Sequence, residues 1–411
     1  MRLSSDDLPM FFGPEHAPLA ARLREIARTI AAVEEPAAHG DEAARDRAAA
    51  AALSGAGLFE LVVPRAVGGG VPRVSVRSVC LAREMLGYVS PRADSILAVQ
   101  GLGTHAIGLA GSAAQRAELP RFARGPGIAA FALTEPEAGS DVAAIATRAS
   151  PVGGGYRLDG DKLFISNLGI ADHAMVVATV DPARGHAGLT AFWVPLDAPG
   201  VTVRLLTPIA AHPIGALELR GVELPAAARV GDEGQGMRLA LDTLDAFRVS
   251  VGAAAVGMAR RAFDEALGFV TGRRQFGKAL SDQPLVQAHL ADMAVDLDAA
   301  RLLVLRAAYL KDTGAKASTE VSIAKLGATE AAQRVIDTAV QLFGGRGVMV
   351  GAVVEQLYRA IRPLRIYEGT SEIQRTIIGR ALAKAAGAGS ARPAAPAAPA
   401  APAAPATKES P

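Results

Sequence analysis

Beyond Gly234-Gln235-Gly236 the apolar residues Leu244, Phe247, Val251, Ala254, Met258, Ala262, Ala266 and Val270 recur every three or four positions. That is the period of one face of an α-helix, and its length predicts one long core helix. Helical patterns follow at 286–311, 320–343 and 371–384, so the second half of the chain reads as a helical bundle.

The first part is helical too, with Leu19, Leu23, Ile26 and Ile30 opening a pattern that Gly and Pro punctuate as far as Phe122. Between 128 and about 231 the texture changes. Asp159-Gly160 signals a hairpin between Tyr156-Arg157-Leu158 and a run at 162–166, and short apolar runs follow at 175–180 and 190–194, so a small β-domain is expected. The chain closes on Pro393, Pro396, Pro399, Pro402 and Pro405, spaced by Ala pairs, which predicts an extended and disordered appendage.

A chain of 411 residues with 50% hydrophobic content can build two or three cores. Its net charge of +2 comes from interspersed acids and bases, so no nucleic-acid partner is expected. One cysteine, Cys80, excludes an internal disulfide framework, and no Cys/His spacing suits a metal. Acidic residues stand near the N-terminus where a signal peptide would be apolar, and the apolar run at 249–259 cannot span a bilayer. The expectation is a cytoplasmic protein with no membrane insertion.

Five segments carry chemistry. In Ile366-Tyr367-Glu368-Gly369-Thr370-Ser371-Glu372-Ile373 a carboxylate lies between an aromatic and a Gly. Ser371-x-x-Gln374 reads as a capping box, placing Glu368 just outside a helix start. Helix N-H groups there would favour the ionised carboxylate, while apolar neighbours would raise its pKa. An ordinary surface Glu at a helix start fits this motif equally well. The stretch from Phe131 to Asp141 runs from an apolar strand into a Pro- and Gly-rich turn whose backbone N-H groups are free for a ligand, unless it is a plain turn. In Leu163-Phe164-Ile165-Ser166-Asn167 a two-residue period puts Phe164 and Ser166 on one face, either to wall a flat heterocycle or simply to pack. Arg273-Arg274-Gln275-Phe276-Gly277-Lys278 ends the long helix, where a guanidinium could grip a pyrophosphate or merely complement the helix dipole. Gln341-Leu342-Phe343-Gly344-Gly345-Arg346-Gly347 allows backbone amides to approach a phosphate, or caps a helix, and matches neither a Walker nor a Rossmann fingerprint.

In this order the segments resemble the acyl-CoA dehydrogenase family over about residues 15–386. The resemblance implies an α+β, mostly α, fold: an N-terminal helical domain (1–127), a middle β-barrel or sandwich domain (128–234), a C-terminal four-helix bundle (235–386) and the disordered Ala/Pro-rich tail (387–411). It implies FAD between the β-domain and the bundle. Phe131, Leu133 and Thr134 would border the isoalloxazine. Phe164 and Ser166 fall where family members commonly carry Trp and Thr, the aromatic stacking at the flavin and the hydroxyl bonding its N5. Arg273, Gln275, Phe276, Gln341, Gly344 and Gly345 match a segment that reaches FAD from a neighbouring subunit. Thr370 and Glu372 match positions by the pyrophosphate and ribose. Gln283-Pro284 departs from a common second Gln and weakens one expected adenosine contact at Gln283. Gly139, Ser140, Asp245, Arg248 and Gly369 would face the substrate.

Glu368 matches the family's usual base for the α-proton of an acyl thioester, with hydride leaving to flavin N5 and a trans-2-enoyl thioester as product. Some members place the base beside the residue matching Arg248, but here that neighbour is Phe247. The resemblance also implies a homotetramer, a dimer of dimers, passing electrons to an electron-transfer flavoprotein or similar acceptor. An acyl-CoA oxidase, a dehydrogenase acting on a carrier-protein thioester and a non-catalytic flavin-binding scaffold are the alternatives. Arg92 reads as a surface residue rather than an anchor for a substrate carboxylate.

Overall fold

A Ser or Asp before a run of apolar period starts four of the first helices, and each hydroxyl or carboxylate meets a backbone N-H inside the first turn. In this computed structural model, which describes residues 1–34 and 41–389, the helices are α1 (Ser4–Asp7), α2 (His16–Ala31), α3 (Glu42–Gly55), α4 (Val76–Val89), α5 (Pro91–Ala110) and α6 (Ala113–Arg124). Asp41, Ser75, Ser90 and Ser112 cap α3 to α6, and Ser112 with Gln115 forms a reciprocal capping box.

The middle region is one sheet: β1 (Ala129–Ala132), β2 (Arg148–Val152), β3 (Gly155–Ser166), β4 (His173–Thr179), β5 (Leu189–Pro195), β6 (Val201–Leu205), β7 (Ile214–Pro225) and β8 (Arg229–Val230). The order is β6-β7-β3-β2-β4-β5-β8, with β1 parallel to β4. The hairpin expected at Asp159-Gly160 is absent. Strand β3 runs straight through both residues with a register shift against β7, and the turn lies earlier, at Gly153-Gly154 between β2 and β3. Gly160 is needed there because a Cβ on it would stand 2.7 Å from Thr147 Cα.

The apolar period beyond Gly236 becomes α7 (Gly236–Gly272), followed by the strand pair β9 (Arg274–Gln275) and β10 (Lys278–Ala279). Then come α8 (Pro284–Asp312), α9 (Ser318–Phe343), α10 (Val353–Ile361) and α11 (Ser371–Gly389). Helices α7, α8 and α9 pack on one another and α11 packs on α9, around a core that includes Val256, Met293, Val304, Ala328 and Ile336. The helix α10 has no counterpart in the sequence reading. The tail at 390–411 lies outside the described residues.

Two contacts fix the N-terminal helices on the bundle. Helices α4 and α7 cross at glycines: a Cβ on Gly87 would lie 2.3 Å from the Ala254 carbonyl oxygen, and one on Gly257 2.1 Å from that of Glu84. Asp312, the last residue of α8, caps α4 from outside, accepting from the Val76 N-H at 2.7 Å, the Ser75 hydroxyl at 2.9 Å and Arg77 Nε at 2.8 Å. A second core joins α5, α6 and the sheet through Leu97, Phe122, Met175, Trp193 and Phe247. A small cluster of Leu133, Val177, Leu189 and Ala240 ties β1 and its following turn to α7.

Candidate active site

Strand β1 ends in a turn that a buried cation holds in place. Lys162 Nζ donates to the Leu133 carbonyl at 3.1 Å, the Val177 carbonyl at 2.6 Å and the Glu135 carboxylate at 2.8 Å, so all three ammonium hydrogens have acceptors. Glu135 also accepts from the N-H groups of Ala146 and Thr147. Burial alone would raise the Glu135 carboxyl, but Lys162 and these hydrogen bonds leave it below its ordinary value. Sequence reading missed this pair. The available signal was a lysine in the inward register of β3, in step with the buried Tyr156 and Leu158.

Two of the turn's N-H groups, which the sequence left free for a ligand, close the turn on itself: Glu135 donates to the Ala138 carbonyl and Ala138 to that of Glu135. Gly139 and Ser140 are exposed at the tip, Phe131 and Thr134 are half-buried, and Leu133 is buried against Val177 and Leu189.

Near its end β3 carries a bulge, two residues opposing one on β7, and strict alternation fails there. Lys162 and Ile165 both turn inward, three residues apart, while Phe164 takes a left-handed backbone (φ 58°) and is 61% exposed. Ser166 is half-buried, and its Oγ lies 2.7 Å from His212 Nε2. The other imidazole nitrogen bonds the Ser95 hydroxyl of α5. Sequence reading did not find His212, which no motif surrounds.

Glu368 sits on the segment between α10 and α11 with a left-handed backbone, φ 53°. Its carbonyl accepts from Arg248 Nε at 3.1 Å, and the Gly369 carbonyl accepts from Lys325 Nζ at 2.7 Å and Gln374 Nε2 at 3.0 Å. Thr370 is the helix cap, its Oγ1 accepting from the Ile373 N-H at 3.2 Å. The cap therefore lies one residue before the Ser371 read from the sequence and no reciprocal box forms, since Ile373 stands at the third helical position; Ser371 instead donates to Glu330 at 2.6 Å. Glu372 is exposed in the first turn. Glu368 Oε2 is buried with no hydrogen-bond partner, and the Glu368 N-H has none among the described residues. Burial raises the Glu368 carboxyl above its usual value, opposed by the cations Arg83, Arg248 and Lys325. Burial likewise pushes Lys325 down to about 8, against the pull of Glu368. Behind them lies a buried ion pair, Arg83 to Asp94, with both contacts at 2.8 Å.

Phe247 fills the core against Gly101 and His105, while Arg248 turns to Glu368. Asp245 pairs with Lys311. Arg92 is a correction: it is 1% exposed and paired with Asp46, Glu42 and Glu34, so it is no surface residue. Those three acids lie far upstream, which hid the cluster from local reading.

The remaining candidates gather elsewhere, at the far end of α7. Arg273 ends the helix, and Phe276-Gly277 forms a two-residue hairpin with both residues left-handed, rather than the helix C-terminal turn expected. Phe276 is 94% exposed. Phe269 stacks on Phe343 at 4.4 Å, which brings the exposed Gln341, Gly344 and Gly345 to the same end. No atom would meet a Cβ on either glycine, so the space beside them is open. Gln283 is half-buried at the start of α8, where Pro284 suits the first helical position. Among the described residues no hydrogen bond joins this group to the Glu368 site.

Three family models match the chain in succession: acyl-CoA dehydrogenase N-terminal domain over 14–126, middle domain over 130–222 and C-terminal domain over 234–383. A probable acyl-CoA dehydrogenase FadE25 of Mycobacterium tuberculosis is 38% identical over 88% of this chain and 92% of its own. An acryloyl-CoA reductase (NADH) of Anaerotignum propionicum is 35% identical over 88% and 94%. The structure of a glutaryl-CoA dehydrogenase from Mycobacterium smegmatis in complex with FADH2 superposes with a TM-score of 0.83 at 28% identity, over 93% of this chain and 98% of that one.

Proposed function

Since the chain belongs to the acyl-CoA dehydrogenase family, and is an oxidoreductase of that class, we propose that it oxidises the Cα–Cβ bond of an acyl-CoA thioester with Glu368 as the base. The observation that carries this reading is the buried, unpartnered Glu368 Oε2 with its own backbone N-H free beside it. A thioester α-proton is weakly acidic, and its removal builds negative charge on the carbonyl oxygen. The free N-H can donate to that oxygen while the carboxylate takes the proton. Arg248 and Lys325 tie down the carbonyls of Glu368 and Gly369, so the strained turn keeps its shape as the acyl group enters.

The residues present suit FAD. An exposed aromatic, Phe164, stands two positions from the Ser166 hydroxyl, and two glycines border open space at the same end of α7 as the exposed Arg273. Phe131, Leu133, Thr134, Phe164 and Ser166 would hold the isoalloxazine, and Thr370 and Glu372 the pyrophosphate and ribose. Arg273, Gln275, Phe276, Gln283, Gln341, Gly344 and Gly345 would serve the FAD of a neighbouring chain. When bound, the flavin supplies the acceptor for the β-hydride. Gly139, Ser140, Asp245 and Gly369 border the thioester in this reading. The enoyl product and an electron-transfer flavoprotein complete the turnover. The likeness to an acryloyl-CoA reductase favours a second reading in which the same residues reduce an enoyl thioester. No helix among the described residues is long and apolar enough to cross a membrane.

Glu368→Gln tests the proposal, since it keeps the backbone donor and removes the base. Anaerobic bleaching of the flavin by acyl-CoA should slow on the order of 10²-fold to 10⁴-fold while flavin and enoyl-CoA still bind. Parent-rate reduction in a flavin-loaded variant would rule out Glu368.

A further inference from the structure

Ser166 is the end of a three-residue chain drawn from three parts of the fold: Ser95 on α5, His212 on the segment between β6 and β7, and Ser166 at the end of β3. The imidazole is hydrogen-bonded on both sides, Nε2 to Ser166 at 2.7 Å and Nδ1 to Ser95. Burial, reinforced by the nearby Arg92 cation, pushes the His212 pKa down to about 4. At neutral pH the ring therefore carries one N-H and one lone pair, and its tautomer decides what Ser166 can do.

Two arrangements are possible. With the hydrogen on Nδ1, Ser166 must donate to Nε2, its only hydrogen is used inside the protein, and the Ser95 hydrogen has no acceptor among the described residues. With the hydrogen on Nε2, Ser95 donates to Nδ1, His212 donates to Ser166, and the Ser166 hydrogen is free to point outward. The second arrangement leaves its spare hydrogen on the half-buried Ser166 rather than on the buried Ser95, where an unmet donor costs more, and so is the one selected.

Resting on the reading of Ser166 as the partner of flavin N5, we propose that Ser95 and His212 are positioning residues that fix the tautomer and so present the Ser166 hydroxyl hydrogen to N5. An oxidised N5 is a hydrogen-bond acceptor, and a hydroxyl that already accepts from an imidazole N-H is a stronger donor to it. His212 touches neither substrate nor cofactor in this account and acts through Ser166.

The holoenzyme tests this with Ser166→Ala, His212→Leu, His212→Gln and Ser95→Ala, read by the Raman band of the C4a=N5 stretch in the bound oxidised flavin and by anaerobic reduction kinetics. Ser166→Ala sets the size of the spectral shift for a lost donor. His212→Leu, which leaves the Ser166 hydroxyl unoriented and without its donor, should move the band in the same direction by part of that shift and slow reduction severalfold, within the roughly tenfold scale of one net hydrogen bond, with substrate affinity unchanged. His212→Gln, whose amide can still donate near the Nε2 position, should return most of the way, and Ser95→Ala should fall between. If Ser166→Ala shifts the band while His212→Leu and Ser95→Ala leave it at the parent position, the inference is overturned. If Ser166→Ala itself leaves the band unmoved, the N5 reading of Ser166 falls and this inference with it. A chain that binds no flavin overturns the proposed function instead.

Discussion

Glu368 combines two unfavourable features, a left-handed backbone on a non-glycine residue and a carboxyl out of water, and both are held by neighbours rather than by its own segment. A carboxyl whose folded pKa is raised adds stability below its unfolded pKa and loses that contribution as pH rises through the folded value. Glu368→Gln, which cannot ionise, should therefore melt above the parent at pH 8, and the gap should close below about pH 4, where the parent is protonated in both states. An unchanged gap across that range would mean Glu368 is not raised. The same shift has the opposite sign for chemistry: the anaerobic reduction rate should climb with pH as the carboxyl ionises. Lys162 and Glu135 show the other side of burial. Lys162→Met strands a buried carboxylate and should cost about 3–5 kcal/mol, whereas adding Glu135→Gln should recover much of it. Urea midpoints of the two variants would check this.

The α4–α7 crossing sets the position of the site's cations at the level of elements. Arg83 precedes Glu84 on α4, Arg248 lies on α7, and the crossing needs Gly257 bare against the Glu84 carbonyl. Gly257→Ala should force the helices apart, lower the melting temperature by an amount equivalent to about 1–3 kcal/mol, and slow flavin reduction, while Gly268→Ala on the same helix, which meets nothing, should do neither. Helix α7 was legible because its apolar period repeats far beyond the reach of chance. The Glu368 motif was legible because a Gly beside a carboxylate before a helix start is local. Gly160 misled because a glycine that permits a turn also permits a strand to pass close to Thr147, and only the tertiary neighbour tells them apart. The hairpin at Phe276-Gly277 was missed because it lacks an Asn or Asp before its Gly. His212, Lys325 and the partners of Arg92 were invisible for a common reason: each is defined by residues dozens of positions away.

Across the whole molecule, large apolar side chains stand in water on the C-terminal region, among them Phe276, Leu285 at 79% exposure and Val350 at 85%. Exposure on that scale, next to the open glycine turn, agrees with a surface that another copy covers. Light scattering should find a homotetramer that holds FAD, and Phe276→Asp should release both subunits and flavin. A yellow, fully loaded monomer would refute the shared site. The cap on α4 has a consequence of a different kind. The carboxylate that completes this helix, Asp312, is encoded 236 positions after the N-H of Val76 that it receives. A ribosome making the chain delivers α4 with its own Ser75 cap but long before this outer one and before the α7 surface its glycine packs on. The packing of α4 is therefore completed only when most of the chain has emerged.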